Sequence, residues 1–278
     1  MGNKMFRTIT KCMVMLTALM SLGLAHGAEP LSLKTSNSFY YGVDVSSYSY
    51  QEWLNGTSFM KETGYRAGLS LGGTKVMGDS VFVRAETRFS YGELKYSGSG
   101  TITGVPDYLW DTRAILGKDI AFSGYSLSPF IGVGYRTLLN DLRGTSSTGA
   151  VGYRRFSEYI YIPIGITHRT MLEGSPARLS TTVEYDYFIG GTQKSYLGDI
   201  SAAYATAFGT VSNKQKNGYG ARVSISYEKD AWSVGPYFNY WKIGDSDYTY
   251  RTYSGTTYSF LEPSNKTMEL GVAAKFQF

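Results

Sequence analysis

Strict alternation between apolar and polar positions runs through most of the chain. In the last twelve residues, "TMELGVAAKFQF" (267–278), every second residue is apolar or aromatic, and Glu269 and Lys275 fall on the other face. "SVFVRAETRFSYG" (80–92) repeats the pattern, with Arg84, Glu86 and Arg88 on its polar face. A period of two is typical of a β-strand whose faces meet different surroundings. About ten such segments, each about 10 to 14 residues long, follow one another along the chain.

The length of these segments favours strands that cross a membrane. Strands of soluble sandwiches are usually about 5–6 residues long, whereas a tilted strand needs about 9–11 residues to cross a bilayer. A sheet in lipid must also close, because hydrocarbon offers no partner for edge N–H and C=O groups. We therefore predict an all-β fold, a closed antiparallel transmembrane β-barrel of about ten strands, with eight or twelve as alternatives.

The connections between the segments alternate in length. Short turns such as "KVMGDS" and "EKDA" are followed by longer stretches, which are predicted to be outer loops: "EWLNGTSFMKET", "KYSGSGTITGVPD", "LLNDLRGTSSTGAVG", 191–217 and 244–265. This alternation of short and long connections is typical of barrels with tight periplasmic turns and long extracellular loops. Aromatic residues near segment ends, among them Tyr40, Tyr65, Tyr91, Trp110 and Trp232, are predicted to lie where water meets hydrocarbon.

The amino terminus has the pattern of a secretory signal. Lys4, Arg7 and Lys11 precede an apolar run, and cleavage is predicted before Ala28. The predicted organisation is a signal peptide at 1–27, a short periplasmic lead at 28–37 and a barrel at 38–278. Removing the signal leaves 24 basic residues against 22 acidic ones and takes away Cys12, the single cysteine. A charge so near balance gives no sign of a nucleic-acid partner.

The signal segment, the alternating strands and the terminal Phe276 and Phe278 resemble bacterial outer-membrane β-barrel proteins. The resemblance implies Sec-dependent export to the outer membrane of a Gram-negative bacterium, surrounded by outer-membrane lipid and lipopolysaccharide. It also implies that the last strand, with Phe276 and Phe278, is the signal read by the barrel-assembly machinery. The strand number is similar to that of the omptin surface proteases.

The polar faces of the strands predict a charged lumen. Its members are Arg66, Arg84, Glu86, Arg88, Asp111, Arg113, Arg136, Arg155, Glu184, Asp186, Arg222, Glu269 and Lys275. Because both signs are present, the charges either pair across a filled interior or line a narrow aqueous path. Glu184 and Asp186, two residues apart, are expected to pair with Arg155 or Arg222. The alternative is a cation site or acid–base pair.

Enzymatic constellations are not found in the sequence. Omptins use an Asp–Asp pair and an Asp-x-His pair, and outer-membrane lipases need a histidine beside a serine. The mature chain has one histidine, His168 in "GITHRT", without an aspartate two residues before it and beside a short turn. We expect His168 to be an interfacial residue, and we predict no catalytic residues, no metal site and no cofactor.

The sequence therefore predicts a non-enzymatic integral outer-membrane barrel, either a small porin-like channel or a structural surface barrel. The alternative is an adhesin or ligand-binding barrel that acts through its long loops on small solutes or host and surface ligands. An outer-membrane protease or lipid-modifying enzyme is the weaker alternative, and nucleic acid is not expected as a partner.

Overall fold

The computed structural model of the protein describes residues 32–278, and the predicted signal peptide lies outside the described residues. The strands are β1 Ser38–Leu54, β2 Thr57–Met77, β3 Val81–Gly98, β4 Gly100–Lys118, β5 Ile120–Ala121, β6 Tyr125–Thr145, β7 Val151–Met171, β8 Arg178–Tyr196, β9 Thr210–Gln215, β10 Gly218–Lys229, β11 Trp232–Ile243, β12 Thr249–Tyr253, β13 Thr256–Phe260 and β14 Ser264–Gln277. A single α-helix, α1, is described at Ala202–Ala207, after a 3₁₀ turn at Leu197–Asp199. Among residues 32–278, no helix has the length and apolar character needed to cross a membrane.

Ten of these strands form a closed antiparallel ring, which confirms the predicted fold class. The order around the ring is β1, β2, β3, β4, β6, β7, β8, β10, β11 and β14, and β14 pairs back onto β1. Closure gives the backbone polar groups of each ring strand partners on both sides, as a lipid surrounding requires. β5 extends the edge of β4, and β9 extends the β8 side beyond the ring.

Seven of the ring strands are longer than the sequence pattern predicted. β2, β6 and β7 have 21 residues each, and at about 3.3 Å per residue they reach well beyond a hydrocarbon core of about 30 Å. The first three predicted outer loops are therefore wrong as loops, since most of their residues continue the strands. Between β1 and β2 only Asn55 and Gly56 remain, both with positive φ, as a tight two-residue hairpin turn requires.

The two later outer connections contain structure of their own. The 3₁₀ turn, α1 and β9 lie between β8 and β10, and β12 pairs with β13 between β11 and β14. Phe208, just after α1, packs its ring 5.0 Å from Tyr258 and 5.3 Å from Phe260. This aromatic contact ties the two connections together above the barrel.

The outward side chains form an apolar band between two aromatic belts, as expected for a lipid-facing surface. The belt near the chain termini contains Phe39, Tyr41, Tyr125, Tyr227, Trp232, Phe276 and Phe278, and the opposite belt contains Tyr65, Tyr91, Tyr108, Trp110, Tyr135, Tyr185, Tyr187, Tyr219 and Tyr240. The prediction for Tyr40 is wrong: its position on β1 turns it inward, and its hydroxyl donates to Glu86 at 2.8 Å.

The terminal aromatic residues belong to the first of these belts. Phe278 and Phe39 exchange two backbone hydrogen bonds of 2.8 and 2.9 Å, and their rings lie 5.4 Å apart. Phe276 stacks on Tyr41 at 5.6 Å. Hydrogen bonds and ring contacts thus hold the chain end against β1. The role of Phe276 and Phe278 as an assembly signal stays a prediction.

The described part of the lead, residues 32–37, forms hydrogen bonds with the end of the barrel that carries the chain termini. The Thr35 N–H and hydroxyl donate to Asp119 at 2.6 and 3.0 Å, and the Ser126 hydroxyl donates to the carbonyl of Leu33 at 2.5 Å. Arg178 donates to the carbonyl of Ser32. The lead therefore packs against the barrel base.

Candidate functional site: the barrel interior and its extracellular mouth

The lower half of the interior is a layer of ion pairs. Arg88 donates to Asp44 at 2.6 Å and to Glu269 at 2.7 Å, and the Tyr237 hydroxyl donates to Asp44 at 2.7 Å. These residues come from β1, β3, β11 and β14, so one guanidinium connects strands that are not all direct neighbours in the ring. Both carboxylates are buried, and a charge buried in this way needs such partners.

A second cluster in the same layer is centred on Arg222. Its Nε lies 2.7 Å from Asp186 and 3.3 Å from Glu184, and its Nη2 lies 2.9 Å from Asp111. The Tyr161 hydroxyl donates to Asp111 at 2.7 Å, and Arg113 bridges Glu86 and Glu184. Glu184 and Asp186 are thus held by Arg222, one of the two predicted partners. Two residues of this layer, Lys275 and Arg84, also face inward beside Glu86.

The remaining predicted lumen residues lie higher in the barrel. Arg136 contacts Asp111 at 3.5 Å, and Arg66 pairs with Asp107 while its guanidinium lies 3.3 Å from the centre of the Tyr48 ring. Arg155 is far from Glu184 along β7, so the alternative pairing with Arg155 is wrong. The structure places all thirteen predicted charges on the inward face, but divides them between three levels.

Aromatic and aliphatic side chains fill the barrel above the ion pairs. Trp241 packs 5.2 Å from Tyr161 and 6.3 Å from Tyr159, and the Tyr159 ring lies 5.5 Å from Phe188. Leu109, Leu138 and Ile243 complete this middle layer. The Tyr161 ring crosses so close to Gly134 that a Cβ there would lie 2.1 Å from it, which explains a glycine on the inner face of β6.

A cavity of about 480 Å³ opens above the middle layer, at the extracellular mouth. Its lining is largely apolar, and it includes Phe59, Met60, Ile102, Leu142, Leu197, Val211 and Phe260. Its charged lining residues are Glu52, Arg155 and Glu262. Arg155 donates to both carboxylates, and the Tyr50 hydroxyl donates to Glu52 at 2.6 Å.

The two carboxylates of this cavity were missed by the sequence prediction. Glu52 continues the inward period of Tyr48 and Tyr50, so following β1 two residues further would have found it. Glu262 lies between β13 and β14, outside any alternating segment, and no sequence signal pointed to it. Burial, together with the neighbouring charge of Glu52, raises the pKa of Glu262 to about 8, although Arg155 opposes the shift.

His168 lies at the other end of the molecule. It occupies an outward position on β7 near the periplasmic turn, and its ring centre lies 5.5 Å from that of Tyr125. This is the interfacial position expected for it. Within residues 32–278, no group of three or more His, Cys, Asp or Glu side chains has an arrangement that could hold a metal ion.

Comparison with solved structures gives outer-membrane barrels. The outer membrane protease OmpT from Escherichia coli is similar with a TM-score of 0.55 at 13% identity, covering 89% of this chain and all (100%) of that one. The translocator domain of the autotransporter NalP from Neisseria meningitidis gives 0.39 at 10% identity, with 97% of each chain covered. Neisserial surface protein A gives 0.36 at 12% identity, covering 87% of this chain and 100% of that one.

Sequence comparison adds no relative. No family model matches the chain. No curated protein matches it either. The OmpT likeness, at this identity, concerns the fold alone, and the fold agrees with the closed ring, the two aromatic belts and the alternating strands. The chain therefore has the fold of an outer-membrane β-barrel, a closed antiparallel ring of ten strands.

Proposed function

We propose that the protein is a non-enzymatic surface barrel that binds a small ligand in the cavity at its extracellular mouth. The ligand has an apolar body and one cationic group. The observation that carries the proposal is the pair of buried carboxylates, Glu52 and Glu262, which share the single Arg155 within largely apolar walls. A volume of about 480 Å³ is in the usual range for small-molecule sites.

The charges of the cavity favour a cation. One guanidinium against two carboxylates leaves a formal charge of −1 when both acids are ionised. A negative charge without a partner is costly in an apolar surrounding. A cationic group that enters the cavity would pair with this charge and remove that cost. Aromatic and aliphatic walls above this pair supply the surface that an apolar body would bury.

The filled interior supports binding over conduction. A smaller cavity of about 160 Å³ lies in the lower ion-pair layer, and the middle layer around Trp241 and Tyr161 separates it from the mouth. Ions would have to pass packed rings and paired charges. The purified protein in planar bilayers is therefore expected to be silent, and discrete conductance steps would contradict a closed lumen.

Binding can be measured on the full barrel in lipid nanodiscs, where no detergent competes for the cavity. At pH 9, where Glu262 is ionised, benzylamine should bind about tenfold or more tightly than benzyl alcohol, because a hydrogen bond to a charged group contributes about 1.5–3 kcal/mol. Benzoate should bind least. The double variant Glu52→Gln/Glu262→Gln should lose the preference for the amine, as followed by isothermal titration.

The matched control is Glu158→Gln, which removes an outward carboxylate of β7 that pairs with Lys194 at 3.0 Å. This variant should keep the preference for the amine. Equal binding of amine and alcohol to the unaltered protein, or an unchanged preference in the double variant, would refute the proposed site.

The raised pKa of Glu262 predicts that cation binding depends on pH. With a pKa of about 8 in the empty cavity, Glu262 is protonated at pH 7 and ionised at pH 9. The affinity for benzyltrimethylammonium, whose charge does not change with pH, should therefore rise about tenfold between pH 7 and pH 9. Glu262→Gln should remove this rise, and a pH-independent affinity in the unaltered protein would contradict it.

A further inference from the structure

Five aromatic side chains line the cavity at the extracellular mouth. They come from strands β2, β3, β7 and β13 and from the stretch before β12, and they are Phe59, Tyr96, Tyr153, Tyr248 and Phe260. The face of an aromatic ring carries partial negative charge and attracts a cation that lies over it. The apolar walls of the cavity are therefore also a surface that favours positive charge.

The charged residues of the cavity lie among aromatic rings. The Arg155 guanidinium carbon is 5.6 Å from the centre of the Tyr50 ring, so the protein's own cation already uses an aromatic face here. Tyr153 lies two positions before Arg155 on β7 and lines the same cavity. Burial raises the pKa of the Tyr153 hydroxyl, Arg155 opposes the shift, and the two carboxylates of the cavity add to it. A second cation that enters beside the carboxylates thus meets ring faces as well as negative charge.

The hydrogen-bonding capacity of the two carboxylates is already partly in use. Glu52 accepts from the Tyr50 hydroxyl at 2.6 Å. Arg155 donates to both Glu52 and Glu262. A primary ammonium is a compact, strongly hydrated group with three donors, so it needs free acceptors in place of the water that it loses. A quaternary ammonium has no N–H donor, and negative charge and ring faces are enough to stabilise it.

We propose that the cationic group of the ligand is a quaternary, methylated ammonium. This inference rests on the proposed function, because it names the cation that the same cavity takes. Glu52 and Glu262 supply the negative charge, and rings of the wall such as those of Tyr96 and Tyr153 contact the methyl groups. Each methyl group that leaves water also adds buried apolar surface to the complex. The ligand class is thus an organic cation with a trimethylammonium head and an apolar body.

The test compares two cations with the same aromatic body on the full barrel, in nanodiscs assembled without choline lipids. Isothermal titration at pH 9 measures the affinity for benzyltrimethylammonium and for benzylamine, the latter referred to its protonated fraction. Benzyltrimethylammonium should bind about tenfold more tightly, because its head uses the ring faces and needs no acceptors. Benzylamine that binds as tightly as the quaternary cation would overturn the inference and leave the proposed function standing. If neither cation bound more tightly than benzyl alcohol, the proposed function would fail and the inference with it.

Two matched variants assign the preference to the rings. Tyr96→Leu/Tyr153→Leu keeps apolar side chains and removes two ring faces, so the preference for the quaternary cation should fall to about threefold or less. Tyr96→Phe/Tyr153→Phe keeps the rings and removes only the hydroxyl groups, so it should retain the preference. Heat-modifiable electrophoretic mobility shows that each variant is folded, and the comparison on the unaltered barrel decides the inference even if the leucine variant does not fold. Equal preferences in the leucine and phenylalanine variants would overturn it.

Discussion

Replacing Arg222 with methionine should lower the free energy of unfolding by about 3–5 kcal/mol, the usual effect of leaving buried charges without their partner. Arg222 holds Asp111 at 2.9 Å and Asp186 at 2.7 Å, and both carboxylates are at most 6% exposed. Methionine keeps most of the volume and removes the charge. The measurement is urea unfolding of the barrel in lipid vesicles, followed by tryptophan fluorescence.

Two further variants identify the cause. Arg143→Met removes an exposed arginine that pairs with Asp141 on β6, and it should change stability little, because an exposed pair is screened by water. Adding Asp186→Asn to Arg222→Met should recover part of the loss, since Asp186 pairs with Arg222 alone, whereas Asp111 keeps Arg136 as a partner. A loss that persists undiminished in the double variant would assign the effect to packing and contradict the electrostatic explanation.

A cationic residue at the centre of the lipid-facing band should be nearly as costly. Val272 on β14 lies midway between Phe276 and Met268, faces outward and is 49% exposed in the isolated chain. Val272→Arg should lower the free energy of unfolding in vesicles by about 2–4 kcal/mol, because arginine at the bilayer midplane loses its hydration. The same vesicle titration measures it.

The matched control is Thr63→Arg. Thr63 is an outward, exposed residue on β2, two positions beyond Tyr65 of the outer aromatic belt. Near the interface the same substitution should cost about 0–1 kcal/mol. Equal costs at the two positions would mean that the band between the aromatic belts is not the part of the barrel that meets hydrocarbon.

The sequence predicted the ring because each strand carries its own signal. An apolar outward face and a polar inward face repeat at period two, and a closed barrel is the one way to satisfy that pattern in lipid. Lumen charges such as Arg88 and Arg222 were found for the same reason. The pattern fails above the outer belt, where both faces meet water or protein, so the strand extensions around Asn55 and Gly56 were taken for loops.

Side-chain partners were harder to predict than side-chain directions. Alternation shows that Arg155 and Glu184 both point inward, but only register and height along the barrel show that they lie at different levels. Glu262 reaches the cavity from an irregular segment, so its position depends on how the hairpin of β12 and β13 folds back. Contacts of this kind arise from the tertiary structure and have no local sequence signature.

The continuation of β1, β2, β6 and β7 beyond the membrane has a mechanical consequence for the cavity that they surround. A mouth built from hydrogen-bonded strands holds Glu52 and Arg155 in place before any ligand arrives. Little conformational entropy is then lost on binding, and association needs no loop to close. If the cavity binds a ligand as we propose, recognition there is that of a rigid receptor, selective for shape and charge, whose occupancy follows the ligand concentration outside the cell.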